Sequence, residues 1–278
     1  FFNKEFDFSR GSSATYVGRD GLIKTSDLQS TNLLQNGNFS ELGSQLVTNG
    51  DFATDTDWSK GTGITISGGS ANFTGNANSF LTQSGVVTLN KTYKATFTIS
   101  NYVSGAIDIN LGGSTRQGNV NANGTYTFYI SVSSGNILYF QEDFTNGFIG
   151  SIDNVSVKQV DPNDNWSLGT GWSISDGVAN QSGGVGQLFQ NIGIALGAVC
   201  KVTFTTTILA GSIKIALGPQ GPTITFTTSG THTFEGSFGG NSLIYILGSS
   251  SSFIGSITNI SVQEIKTNTP RIDFSDST

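Results

Sequence analysis

The sequence is short of almost everything that chemistry at an active site or metal centre draws on: it holds one cysteine, one histidine and five glutamates among 278 residues. Cys200 has no partner for an internal disulfide, and its alternating apolar neighbours place it in a strand as a small buried side chain. A single histidine, His232, cannot complete a zinc site, and no serine or cysteine nucleophile in the N-terminal half finds an imidazole base there. Charged residues make up only 12%, with 13 Lys and Arg against 19 Asp and Glu. The net charge of -6 and the lack of any basic cluster exclude a nucleic-acid partner, which needs a basic stripe to displace counterions. Lys and Glu, both strong helix formers, are scarce, so a helical fold is excluded as well. No apolar run approaches the roughly 18 residues of a membrane helix, and no basic start leads into an apolar stretch. The expectation is a soluble chain with no membrane insertion and no signal peptide. No glycine-rich spacing is followed by Lys-Ser or Lys-Thr, so there is no phosphate loop. Two carboxylates about 5–10 Å apart would suffice for glycoside hydrolysis. Glu142 and Asp143, however, are strand neighbours that point to opposite faces, and no acidic pair recurs along the chain. The protein is expected not to be an enzyme.

What is present is glycine and aromatic rings, with Gly 37, Phe 20 and Tyr 7, and an internal repeat. Trp58-Ser59-Lys60-Gly61-Thr62-Gly63 matches Trp166-Ser167-Leu168-Gly169-Thr170-Gly171, 108 residues on. Lys94-Ala95-Thr96-Phe97-Thr98 matches Lys201-Val202-Thr203-Phe204-Thr205, and Phe148-Ile149-Gly150-Ser151-Ile152 matches Phe253-Ile254-Gly255-Ser256-Ile257. The order of blocks is kept, which marks a tandem duplication of one domain. Within each copy apolar residues alternate with polar ones, as in Tyr93, Ala95, Phe97 and Ile99, and glycine-rich turns recur at intervals of roughly ten residues. The pattern predicts an all-β chain of two tandem antiparallel sandwiches of jelly-roll type with short terminal extensions. The expected division is an N-terminal attachment segment over 1–35, a first sandwich over 36–160, a second over 161–265 and a C-terminal segment over 266–278. Inward Ile107, Ile109 and Leu111 recur as Ile213, Ile215 and Leu217, whereas outward Asp108 and Asn110 become Lys214 and Ala216. The scaffold is expected to repeat its core and vary its surface.

Two resemblances attach to particular residues. Asn49-Gly50-Asp51-Phe52, Trp58, the Gly69-Ser70-Ala71-Asn72 turn and the closing Ile152-Asp153-Asn154-Val155-Ser156-Val157 resemble carbohydrate-binding modules of the family four and nine type, over residues 49–265. That resemblance implies a structural Ca2+ held by the opening and closing strands: Asp51, carbonyls around Asn49, and Asp153, with Thr258 at the matching place in the second copy. The other reading of Asp51 and Asp153 is that they cap turns. Asn36-Gly37-Asn38-Phe39 looks like a stuttered copy of the opening strand, and as a hypothesis a strand donated between subunits. The flanks, Phe6-Asp7-Phe8-Ser9-Arg10-Gly11-Ser12-Ser13-Ala14-Thr15-Tyr16-Val17 with Asp20-Gly21-Leu22-Ile23, and Asn268-Thr269-Pro270-Arg271-Ile272-Asp273-Phe274, resemble a segment of bacteriophage tail and other virion proteins. This implies a virion protein, in a tail fibre or as decoration, that carries its modules outward in an extracellular setting.

A sugar site on a sandwich needs flat rings to stack on pyranose faces, with amides and carboxylates alongside. If Leu138 and Phe140 face the core, Tyr139 and Gln141 face out on one sheet with Asp108 and Asn110, and Tyr129 and Arg116 are expected to line the same face. In the second copy Tyr245 matches Tyr139. Both tyrosines also fit a rim or subunit contact. Trp58, Trp166 and Trp172 read as scaffold, and His232, at the place of Tyr126, as an interior or rim side chain. The expected function is adhesion by non-catalytic glycan-binding modules, weak sites multiplied by many copies on one particle. The partners would be glycans and other virion subunits, most simply in a homo-oligomer. The alternative is a purely structural fibre, capsid-decoration or surface-filament subunit whose sandwiches mediate assembly.

Overall fold

The computed structural model describes residues 28–113, 116–248 and 253–266, together with the backbone of two short strands, Thr15–Val17 and Ile23–Thr25, which pair antiparallel. The described chain is all β, in four larger antiparallel sheets that form two sandwiches. It divides into two compact units. One comprises Phe39–Asp164 with Ile174–Val178; the other, among the described residues, comprises 28–38, 165–173 and 179–266.

The first sandwich has a five-stranded sheet in the order Gln117–Val120, Ile107–Leu111, Leu138–Glu142, Phe80–Gln83, Ser59–Lys60. Its second sheet runs Gly124–Ser131, Thr92–Gly105, Phe148–Val160, Ser70–Thr74, Ile64–Ser67, with Leu42–Gln45 also paired to Phe148–Val160. The chain crosses repeatedly from one sheet to the other, which is the jelly-roll manner of closing two layers over one core. Alternation does what the sequence predicts. Tyr93, Ala95, Phe97 and Ile99 are buried while Lys94, Thr96 and Thr98 are not. Phe97 meets Phe140 of the opposite sheet edge to face at 4.9 Å, and Trp58 packs on Phe52 at 5.1 Å. Each such ring removes on the order of 150–250 Å² from water, which offsets the entropic cost of so many glycines.

The second sandwich repeats this plan. Ser167–Leu168, Gln187–Asn191, Leu243–Gly248, Ile213–Leu217 and Thr223–Phe226 make one sheet. Trp172–Ser175, Val178–Ser182, Ile254–Lys266, Val199–Ala210 and Gly230–Ser237 make the other, with Leu28–Gln29 paired to Ile254–Lys266. Phe204, Ile215, Ile246 and Phe253 fill its core.

The domain boundaries differ from those expected. Asn36-Gly37-Asn38-Phe39 is not a stutter in the first sandwich, because residues 28–38 open the second. In the first sandwich the Trp58 indole donates to the Asn49 carbonyl at 3.0 Å, and Gln83 closes a pair of bonds with the backbone of Thr48, at 2.9 and 2.8 Å. In the second the Trp166 indole donates to the Asn36 carbonyl at 3.0 Å, and Gln190 makes the same pair with Gln35, at 2.7 and 2.9 Å. Val155 N–H bonds to Gly50 O at 2.8 Å, and Ile260 N–H to Gly37 O at 2.9 Å. Both turns put the asparagine and the phenylalanine at positive φ: 46° and 54° at Asn36 and Phe39, and 50° at each of Asn49 and Phe52. The first sandwich is therefore inserted in the chain between the opening turn of the second and its remainder. Of the expected attachment segment 1–35, residues 28–35 belong to this opening. Phe6–Ala14, Asp20–Leu22 and Asn268–Phe274 lie outside the described residues, as does the expected C-terminal segment beyond Lys266.

The surface repeats more than expected too. Thr96, Thr98, Thr125 and Thr127 recur as Thr203, Thr205, Thr231 and Thr233 on the outer sides of the equivalent sheets, and hydroxyls bond across strands at 3.0 Å (Thr98–Thr125), 3.1 Å (Thr203–Thr233) and 3.0 Å (Thr205–Thr231). Such cross-strand pairs stabilise a sheet by about 0.2–1 kcal/mol each, so both copies have a reason to keep them.

The nested arrangement makes a paired prediction. A Cβ on Gly37 would stand 2.1 Å from the Ile260 carbonyl oxygen, and one on Gly50 2.1 Å from that of Val155. Gly37→Ala is expected to lower the stability of the second sandwich and Gly50→Ala that of the first, each by roughly 1–3 kcal/mol. Residue-resolved hydrogen exchange checks this; loss of protection in the first sandwich on Gly37→Ala would contradict the assignment.

Candidate functional site

The outer face of the first five-stranded sheet is assembled by register. Asp108 lies opposite Gln141 and Asn110 opposite Tyr139; Tyr139 lies opposite Thr82 and Gln141 opposite Phe80. These side chains share a face because Ile107, Ile109, Leu111, Leu138 and Phe140, which alternate with them, are wholly buried on the other. The Phe80 and Tyr139 rings meet edge to face with centroids 6.4 Å apart. The Gln141 amide donates to Asn78 Oδ1 at 2.8 Å, which ties the strand to the turn before Phe80.

At the opposite edge Asp108 Oδ1 accepts Asn119 N–H at 2.6 Å, and Oδ2 lies 3.6 Å from Arg116 Nη1. The guanidinium sits 4.2 Å from the centroid of the exposed Phe144 ring. Asn110 Oδ1 accepts Gly113 N–H at 3.0 Å. Beyond Phe80 the face runs into a cleft of about 330 Å³ lined by Gly61, Thr62 and residues 76–80. The face thus combines two half-buried outward rings, a third ring under an arginine, the Asn110 amide and a carboxylate, with the Gln141 amide buried and turned to Asn78. It can stack on an apolar ring surface and exchange hydrogen bonds with hydroxyls.

Two carboxyl groups at the end of this sheet behave oppositely. Asp143 accepts the N–H groups of Asn146 and Thr145, both at 2.9 Å, and these bonds hold its carboxyl below the usual carboxylate range. Glu142 is completely buried, and desolvation pushes its carboxyl up despite a 2.8 Å bond from Phe148 N–H. The two do not face one another across the outer sheet, so they form no acid and base pair.

Of the residues expected at the site, Tyr139, Gln141, Asp108, Asn110 and Arg116 come together. Tyr129 does not. Its strand, Gly124–Ser131, belongs to the other sheet, where Lys94 Nζ lies 5.7 Å from its ring centroid. Tyr245 lies on the second sandwich, facing Phe189 at 5.8 Å and accepting from Asn241 Nδ2 at 3.0 Å. Its cross-strand neighbours are Ala216 and Phe189, and Lys214 stands opposite Leu247. That face carries no carboxylate where Asp108 stood. Phe80, Asn78 and Phe144 were not singled out from sequence.

The residues expected to hold calcium are engaged in hydrogen bonds within the protein. The Asn49 carbonyl accepts both the Trp58 indole and, at 3.2 Å, Phe52 N–H. Asp51 Oδ1 accepts Ala53 N–H at 3.4 Å, and both Asp153 oxygens are bonded by Asn154. Among the described residues no three His, Cys, Asp or Glu side chains gather as a ligand set. Asp51 caps its turn, and Asp153 sits within the strand Phe148–Val160 beside a register shift. Trp58, Trp166 and Trp172 are all buried. His232 packs between Phe226 and Phe204, and its Nε2 bonds Thr228 O at 2.8 Å, just as Tyr126 bonds Ala122 O at 2.9 Å at the same place in the first copy.

No family profile matches the chain, and no curated protein matches it. Solved structures with some likeness include the N-terminal CBM22-1-CBM22-2 tandem domain of Paenibacillus barcinonensis Xyn10C, with 11% identity and TM-score 0.35 over 81% of this chain and 99% of that one. A fucolectin from striped bass (Morone saxatilis) serum has 11% identity and TM-score 0.28 over 87% and 97%. A Paenibacillus xanthan lyase has 13% identity and TM-score 0.25 over 82% and 26%. The two-sandwich architecture rests on the strand pairing itself.

Two outcomes follow. Chelation with EDTA is expected to leave the melting temperature unchanged; a fall would mean that a cation is held after all. The Cys200 thiol, buried and beside the Glu264 charge, is pushed up to about 11. Alkylating reagents at neutral pH should therefore modify it only on unfolding, as followed by intact mass.

Proposed function

We propose that the chain is a non-catalytic glycan-binding protein whose binding face is the outer side of the first five-stranded sheet, and that it acts as an adhesion component of a phage particle. One observation carries the binding reading: Phe80 and Tyr139 stand outward as a pair, flanked within the same sheet by Asp108, Asn110 and Gln141. Rings of this kind bury the apolar face of a pyranose, and the Asn110 amide and Asp108 carboxylate beside them meet its equatorial hydroxyls. A single shallow face of this sort binds weakly. Display of many copies on one particle, in a virion or otherwise extracellular setting, converts weak sites into firm attachment without any new contact. The particle itself is inferred from the flanking sequence pieces.

Assembly is the second reading, and a specific observation favours it for the second sandwich. There Tyr245, Phe189, Leu247 and Ala216 form an apolar centre on the corresponding face, with Lys214 and Gln187 beside it and no carboxylate at the place of Asp108. A face of that composition suits a neighbouring subunit better than a sugar.

The test is a glycan array probed with the artificially multimerised protein. Tyr139→Ala and Phe80→Ala are each expected to weaken binding roughly tenfold or more, about 1–2 kcal/mol per ring. Tyr245→Ala should leave it unchanged. Silence from a folded, multimerised probe would sink the glycan reading in favour of assembly, and equal losses from Tyr245→Ala would place the site wrongly.

A further inference from the structure

Glu142 is an anomaly in an otherwise apolar interior. It has no exposed surface, and while Oε2 accepts Phe148 N–H, Oε1 is buried without a hydrogen-bond partner. A buried polar atom of that kind is costly. The chain contains its own control. Glu142 stands opposite Ile107, and at the same register in the second sandwich Gly248 stands opposite Ile213. The fold therefore closes at this place without a carboxyl, so the cost has to be explained by what the first sandwich does and the second does not.

The position of Glu142 supplies the explanation. Its strand neighbour Gln141 points outward and bonds Asn78. Glu142 itself points inward beneath the two turns that border the candidate face. Its backbone N–H bonds Ser79 O at 3.0 Å, and the Asn76 N–H also acts on its carboxyl. Its Oε2 holds Phe148 N–H and lies where a Cβ on Gly147 would come within 2.9 Å. Gly147 in turn lies so close to Gly75 that a Cβ would stand 2.5 Å from the Gly75 carbonyl carbon. One residue thus joins the 75–79 turn, which carries Asn78 and leads to Phe80, through its backbone N–H, to the 143–148 turn, which carries Phe144, through its carboxyl. We propose that Glu142 is a positioning residue for the outer face of the first sandwich, pinning these two turns from below. The inference rests on the glycan reading for its purpose but not for its geometry.

The grip depends on charge. The surrounding elements carry Asp108, Arg116, Asp143, Tyr139, Tyr93, Lys94, Tyr102, Asp153 and Lys158, and no side-chain charge contributes to the shift of Glu142. Asp108 and Arg116 pair with each other, Asp143 bonds its own turn, and the Tyr102 hydroxyl bonds Gly105 O. None of them offsets a negative charge on Glu142, whose carboxyl is pushed up by burial alone. The neutral form is buried at less cost than the ionised one. The ionised form leaves an unpaired charged oxygen, relieved only if the turns open to water. With the folded value raised above the unfolded one, the pinning is complete below the ordinary carboxylate range and weakens as pH rises through the raised value.

The experiment is hydrogen exchange on the full chain at about pH 4 and pH 8, corrected for intrinsic rates, with glycan binding by the multimerised protein at the same two values. In the wild type, protection of 76–79 and 145–148 should fall severalfold at the higher pH. Glu142→Gln should keep the low-pH protection at both values. Glu142→Gly, which copies the second sandwich, should lose it at both while the rest of the sheet stays protected. Protection of the wild type that ignores pH, or a Glu142→Gln variant as pH-dependent as the wild type, would overturn the proposal. Where a glycan binds, its affinity should follow the same pattern. Absence of glycan binding alongside the expected exchange refutes the glycan reading and leaves the pinning in place; pH-independent exchange alongside glycan binding does the reverse.

Discussion

A buried indole N–H has to find an acceptor, and in this chain that requirement fixes where each sandwich closes. Trp58 and Trp166 lie in their cores and donate to a carbonyl of an asparagine-glycine turn. The turn comes close enough for the bond because the next residue is glycine, which lets its backbone lie against a carbonyl of the closing strand where no Cβ would fit. A glutamine from the adjacent sheet then takes both the N–H and the C=O of the residue before the asparagine. Three interactions thus join opening turn, closing strand and opposite sheet in each copy. The aromatic cores and the outer faces are both arranged around that junction.

With the scaffold fixed in this way, the two copies are free to differ where the junction does not reach. The outer faces of the five-stranded sheets have diverged most. One carries Asp108, Asn110, Gln141 and a ring pair, the other Lys214, Ala216, Leu247 and Tyr245. The threonine rows on the other sheets have hardly diverged at all, and three of their four cross-strand pairs are joined through the hydroxyls. Surface that contributes to sheet stability is retained, and surface that faces only solvent or a ligand varies.

The same distinction explains what was legible in the sequence. Parity along a strand is local, so the buried set Tyr93, Ala95, Phe97 and Ile99 and the common face of Asp108, Asn110, Tyr139 and Gln141 were read correctly. Membership of a sheet is not local. Tyr129 points outward as expected but from the other layer, because jelly-roll strands cross between layers in a way that parity does not record. Phe80 entered the face through its register opposite Gln141, which no spacing reveals. The opening turn of the second sandwich reads as a stutter in the sequence because its partners Trp166 and Ile260 lie far along the chain. A signal was available: Trp58 is preceded by Asn49-Gly50-Asp51-Phe52, while the stretch before Trp166, Asp161-Pro162-Asn163-Asp164, contains no such turn.

The insertion of one sandwich within the other imposes an order on synthesis. Residues 28–38 leave the ribosome early, yet the strand they pair with, Ile254–Lys266, is made more than 200 residues later. At translation rates of roughly 5–20 residues per second, that segment waits for tens of seconds or less with Leu34 and its backbone uncovered, while the first sandwich has all its strands and can fold. The second sandwich can close only when its last strand arrives, by a contact of very high sequence separation. Fidelity of pairing within the chain therefore depends on how quickly that last strand is delivered.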